Sequence, residues 1–123
     1  LIVSPSRVPA FRSARLLAQA KVNLALRVLA REESGYHQLE TIFQRLTLGD
    51  TVTLKVTDGE RSLDVSGADT GPVERNLAWR AAVAYAERTG WPRGWRIELA
   101  KLVPPGGGLG GGSADAGAVL RML

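Results

Sequence analysis

A chain of 123 residues can fold as one modest domain and bury a real core without disulfides or metals. It has no cysteine and one histidine, His37, which excludes disulfides, thiol catalysis, cysteine-type zinc sites and histidine-rich metal sites. The net charge of +4 admits an anionic partner, nucleic acid or a phosphorylated small molecule, but the arginines are scattered and no apolar run is long enough to span a membrane.

Residues 1–14, LIVSPSRVPAFRSA, mix Pro, Ser and Arg without a period and read as a poorly ordered leader. The domain is expected over 15–123. RLLAQAKVNLALRVLA reads as a strand, with Lys21, Asn23, Ala25 and Arg27 on one side and Val22, Leu24, Leu26 and Val28 on the other. REESGYHQ is a loop. LETIFQRLTL and DTVTLKV read as two strands joined by a turn at Gly49–Asp50. DGE at 58–60 is a hairpin signal, and RSLDVSG is a further short strand. NLAWRAAVAYAERTG is a helix, with Asn76 as N-cap, an alanine-rich interior and Gly90 as its stop. RIELAKLV alternates as a strand, and SADAGAVLRML opens a second helix at Ser113. Strands, helix, strand, glycine loop and helix make an α+β layer arrangement.

The stretch PPGGGLGGGSADAG, residues 104–117, sets the functional question, because it packs six of the fourteen glycines between Gly106 and Gly112. A flexible linker rarely lies between a patterned strand and a helix, or carries an apolar residue such as Leu109. Gly106, Gly108 and Gly111 satisfy G-x-G-x-x-G, but Pro104–Pro105 precede them, and the ribose-binding acid of a dinucleotide fold, about 20 residues on, would lie beyond Leu123. Successive glycines do allow several backbone N–H groups to face one anion, with the hydroxyl of Ser113 and the positive end of the following helix beside them. No lysine stands between Gly112 and Ser113, so this is not a P-loop of the Walker type. Asp115 in the first turn would repel a phosphate, so it is expected to turn away from it or toward a metal.

This loop resembles the phosphate-binding motif of the GHMP small-molecule kinases. AKVNLALRV from Ala20, ESGYHQLETIF from Glu33 and RNLAWRAA at 75–82 resemble further motifs of the members that act on a cytidine diphosphate-linked sugar alcohol. The resemblance implies an N-terminal domain like domain 2 of ribosomal protein S5. It implies transfer of the γ-phosphate of ATP, with Mg2+, to the 2-hydroxyl of 4-diphosphocytidyl-2-C-methyl-D-erythritol. That reaction serves non-mevalonate isoprenoid biosynthesis, in bacterial cytoplasm or plastids.

By the same resemblance Lys21 is catalytic and Asn23 lies beside the reacting hydroxyl. Tyr36 stacks on the cytosine and His37 hydrogen-bonds its edge. Asn76, Lys101, Pro104, Gly106, Gly107, Gly108, Leu109, Gly110, Gly111, Gly112 and Ser113 hold ATP, and Ser113 is also a candidate metal contact. Asn76 has its capping role as an alternative, and Lys101 has that of a strand-end lysine in solvent. The chain departs from the family pattern at Gln19, where proline is common, and at Ala114, where serine is common. The family's catalytic aspartate belongs to a downstream motif outside these residues, so this stretch is expected to be the inactive N-terminal piece of a kinase. The alternatives are another GHMP kinase, or an S5-like nucleic-acid-binding domain.

Overall fold

A computed structural model describes residues 13–123. The leader assigned to 1–14 lies outside the described residues except for its last two, which open the first strand. The strands are β1 (Ser13–Arg31), β2 (His37–Thr57), β3 (Arg61–Ser66) and β4 (Gly94–Ala100). Helix α1 (Leu77–Thr89) follows a short 3-10 turn at Val73–Arg75, and α2 (Gly111–Met122) ends the chain order. The sheet runs β1-β2-β4-β3, antiparallel except for the parallel pair of β3 and β4.

Gly49–Asp50 is not a turn: β2 runs unbroken through both residues. A Cβ at Gly49 would lie 2.8 Å from the carbonyl oxygen of Ala18, so glycine is needed for the close approach of two strands. Asp50 is fully buried and bonded, and the sequence signal for a turn was in fact a signal for close packing. Nor does the DGE turn join two paired strands, because β4 lies between β2 and β3. The alternating apolar residues of β4, Trp95, Ile97 and Leu99, are buried and need neighbours on both sides. β3, only half-buried, takes the edge.

The core lies where all four strands overlap. Val52 and Leu54 from β2 meet Trp95, Ile97 and Leu99 from β4. Each such side chain contributes roughly 1.5–3 kcal/mol by leaving water. Helix α1 presents Ala78, Ala82 and Ala86, spaced one turn apart, so it can lie close to the sheet. Trp79 meets Trp95 edge-on at 5.5 Å between ring centroids. Asn76 caps α1 as expected, its Oδ1 accepting from the amides of Ala78 and Trp79, and Gly90 closes it in the left-handed conformation.

β4 pairs only with Thr51–Thr57 of β2, so the other end of the β1–β2 hairpin continues as a two-stranded arm. Three irregularities shape it, the last between Val28 and Arg31. Near Ala20 the register jumps from Gln19↔Gly49 to Lys21↔Arg45, and Nε2 of the Gln19 side chain donates to the carbonyl of Leu46 across the gap. A second shift lies between Asn23 and Ala25. It overturns the simple alternation expected for β1. Past the shift, Leu26 pairs with Thr41 and joins the Lys21 and Asn23 side of the arm, while Arg27 pairs with Glu40 on the other face.

Candidate active site

Gly106, Gly108 and Gly110 all have positive φ, near 75°, 74° and 70°. Alternate left-handed residues fold the loop back and forth, which side chains with a Cβ would resist. Helix α2 begins at Gly111 with Gly110 as its N-cap, two residues earlier than the start expected at Ser113. Close packing explains the early start: a Cβ at Gly111 would meet Val103 at 2.9 Å and one at Gly112 would meet Leu77 at 3.3 Å. The amides at 111–113 thus belong to the first turn, where no intrahelical carbonyl is available to them. Ser113 lies inside that turn and is not its cap.

β1 anchors the loop from above. The Lys21 amide donates to the Leu109 carbonyl at 2.9 Å. The Lys21 ammonium donates to the Gly108 carbonyl and to Asn23 Oδ1, each at 3.2 Å, and stands 5.3 Å from the centroid of the Phe43 ring. Gly110 leaves space for this side chain, since a Cβ there would come within 2.9 Å of Lys21 Cε.

Beneath the loop lies a buried charge cluster. The Lys101 ammonium donates to Asp50 Oδ2 at 2.6 Å and to Asp115 Oδ2 at 3.0 Å. Asp50 Oδ1 accepts from the amides of Leu102 and Val103 at 2.8 and 2.9 Å. The cluster therefore ties β2, the entry to the glycine loop and α2 together. Burial, with Asp50 close by, pushes the Asp115 carboxyl up to about 7, and its Oδ1 has no partner. For Asp50 burial alone would raise the pKa, but the neighbouring Asp115 and the hydrogen bonds from Lys101 and the two amides outweigh it and hold the group below its ordinary value. For Lys101 burial acts downward and is outweighed by the two carboxylates, so its pKa is raised.

This geometry corrects one expectation and agrees with another. Lys101 is 5% exposed, so it is not a strand-end lysine in solvent, and its ammonium is spent on carboxylates rather than free for a nucleotide. Asp115 turns away from the loop's open side, toward Lys101, as one branch of the expectation had it.

A cleft of about 820 Å³ opens beside the loop. Its floor is the inner face of the hairpin, including Lys21, Asn23, Phe43 and Arg45, and its wall is α2 from Ser113 to Arg121. Among the described residues no aspartate or glutamate lines it. Of the expected site residues, Lys21, Asn23, Gly108, Gly110 and Ser113 come together here. Pro104, Gly106, Gly107, Leu109, Gly111 and Gly112 belong to the same loop but do not line the cleft. Asn76 is turned to its helix cap and donates to Thr70, so its side chain is already engaged. Tyr36 and His37 stand at the exposed hairpin tip, outside the cleft. Magnesium is ordinarily held by one or two carboxylates together with phosphate oxygens. Among the described residues the cleft offers the hydroxyls of Ser113 and Thr41 but no carboxylate, so its lining does not fit a magnesium site by itself.

Sequence reasoning missed Asp50, Arg45 and Arg121. Asp50 was masked by its glycine neighbour. The two arginines carry no local motif, and only the register of β2 and the direction of α2 place them in one cleft.

Comparison with known proteins bears on this geometry. The GHMP kinases N terminal domain model matches residues 76–123. The 4-diphosphocytidyl-2-C-methyl-D-erythritol kinase of Heliobacterium modesticaldum is 43% identical over 89% of this chain and 35% of its own length. That of Desulfotalea psychrophila is 50% identical over 86% of this chain and 36% of its own length. A crystal structure of a 4-(cytidine 5'-diphospho)-2C-methyl-D-erythritol kinase superposes with a TM-score of 0.70 at 44% identity, covering 88% of this chain and 38% of that one. Homoserine kinase from Cytophaga hutchinsonii, at 21% identity and a TM-score of 0.59, shares the fold. The chain thus spans little more than a third of the length of these relatives. The chain has the fold of the N-terminal domain of the GHMP kinases.

Proposed function

We propose that this chain is the nucleotide-holding part of a kinase that moves the γ-phosphate of ATP to the 2-hydroxyl of 4-diphosphocytidyl-2-C-methyl-D-erythritol. One observation carries the reading: a glycine loop with three left-handed residues opens on a cleft that holds cations and no carboxylate. An anion is the ligand such a surface favours.

In the reaction the substrate oxygen forms a bond to the γ-phosphorus as the bond from that phosphorus to the β,γ-bridging oxygen breaks. The alcohol loses its proton. The loop amides and the first turn of α2 hold the triphosphate tail and stabilise its charge. Lys21, fixed by Asn23 and the Gly108 carbonyl, polarises the alcohol and offsets charge on the transferring group. No cleft side chain accepts the proton, since none is a carboxylate or histidine, and that role falls to a group beyond the cleft's own lining. Lys101 contributes by fixing the loop from beneath.

Tyr36 and His37 would meet the cytosine. His37 pairs near the end of β1, eight residues from Arg45, or about 26 Å at a strand's rise per residue. Leu39, two residues from His37, already lines the cleft, so the cleft's far end approaches the hairpin tip.

Hydrogen exchange tests the reading directly. ATP with magnesium should slow exchange at residues 106–113, and unchanged exchange there would sink it. Cytidine diphosphate should shift the ring protons of His37, the chain's one histidine.

A further inference from the structure

The cleft is more cationic than a single triphosphate site at the loop explains. Lys21, Arg45 and Arg121 all line it, and no acidic residue does. Among the described residues the ion pairs join Arg27 to Glu40 and Lys101 to Asp50 and Asp115. Arg45 and Arg121 have no carboxylate within ion-pair distance. Like charges gathered on one concave surface repel, and an anionic ligand is what relieves them.

Position separates Arg121 from the loop. Arg45 is the cross-strand partner of Lys21, so the two side chains rise from the same face of the arm. Arg121 is on the opposite wall, eight residues beyond Ser113 on α2, or about 12 Å along the axis. A phosphate seated on the first turn of α2 leaves that end of the cleft uncovered. Arginine from two walls suits a diphosphate, because each guanidinium can bind two phosphate oxygens in parallel.

We infer that Arg45 and Arg121 form a second anion position in the cleft, which takes the diphosphate of the acceptor while the glycine loop takes that of ATP. This rests on the kinase reading above and adds to it a residue-level basis for selecting an acceptor that itself carries a diphosphate. A neutral alcohol would leave both arginines unsatisfied. The competing account makes Arg45 a solvated strand residue and Arg121 a partner of the α2 dipole. Under it, substitution changes stability slightly and ligand affinity not at all.

The test is calorimetric titration of the full chain with cytidine diphosphate and, separately, with the non-hydrolysable analogue adenylyl imidodiphosphate. Arg45→Gln and Arg121→Gln are each compared with the parent and with Arg88→Gln, an equal charge change on α1 outside the cleft. Each cleft variant should weaken cytidine diphosphate roughly tenfold or more, the cost of a lost charge-assisted contact, and the analogue less than twofold. Arg45→Lys should recover part of the loss as a point charge, and Arg88→Gln should match the parent. Equal weakening of both ligands would assign the arginines to the ATP tail and overturn the inference. So would unchanged binding of cytidine diphosphate by both variants. A parent chain that binds the analogue but not cytidine diphosphate overturns this inference alone, whereas one that binds neither overturns the kinase reading with it.

Discussion

The two sides of the glycine loop each use a lysine, in opposite ways. Beneath the loop Lys101 is closed off from water and shared by two carboxylates, so its charge is consumed in holding three segments together. Above it Lys21 is half-buried in an open cleft, bonded to a carbonyl and an amide oxygen but to no carboxylate, so its charge remains available. Residue type does not separate a structural cation from a functional one. What separates them is whether the fold supplies the counter-charge.

The largest effect should come from breaking the lower side. Lys101→Met leaves Asp50 and Asp115 buried without a cation, and unfolding by denaturant should show a loss of about 3–5 kcal/mol. Next is the loop between the two lysines. Gly110→Ala forces a side chain into a left-handed conformation and against Lys21, costing about 1–3 kcal/mol in the same measurement and weakening binding of the ATP analogue.

A subtler probe is pH. Asp115 holds its proton more tightly in the folded state, at about 7 against an ordinary 3.8. Its contribution therefore favours the fold fully below pH 3.8 and is lost as pH rises through about 7. The slope is at most about 1.4 kcal/mol per pH unit. Asp115→Asn should flatten that part of the stability curve. Asp50 has the opposite sign: its stabilising share is present above its ordinary value and lost as acid titrates the folded group. The smallest stability effect belongs to the upper side. Lys21→Met should change unfolding by no more than about 0.5 kcal/mol. It should still weaken the ATP analogue roughly tenfold, the value of a charge-assisted contact. A large stability loss in this variant would erase the contrast between the two lysines.

The sequence alone determined the features that rest on local chemistry. Helix α1 was legible from end to end because Asn76, the alanine spacing and Gly90 act within a few residues of one another. The glycine loop was legible because no packing demand on an ordinary turn calls for six glycines. Tertiary structure decided whatever depends on what the chain meets from elsewhere. It made Gly49 a contact point for Ala18 rather than a turn, moved Leu26 to the cleft side through a register shift, and started α2 at Gly111. It also buried Lys101 between carboxylates 51 residues before it and 14 after it, a pairing no local pattern encodes. Capping, propensity and backbone freedom act over one or two turns, whereas burial and charge pairing join residues that only the folded chain brings within reach.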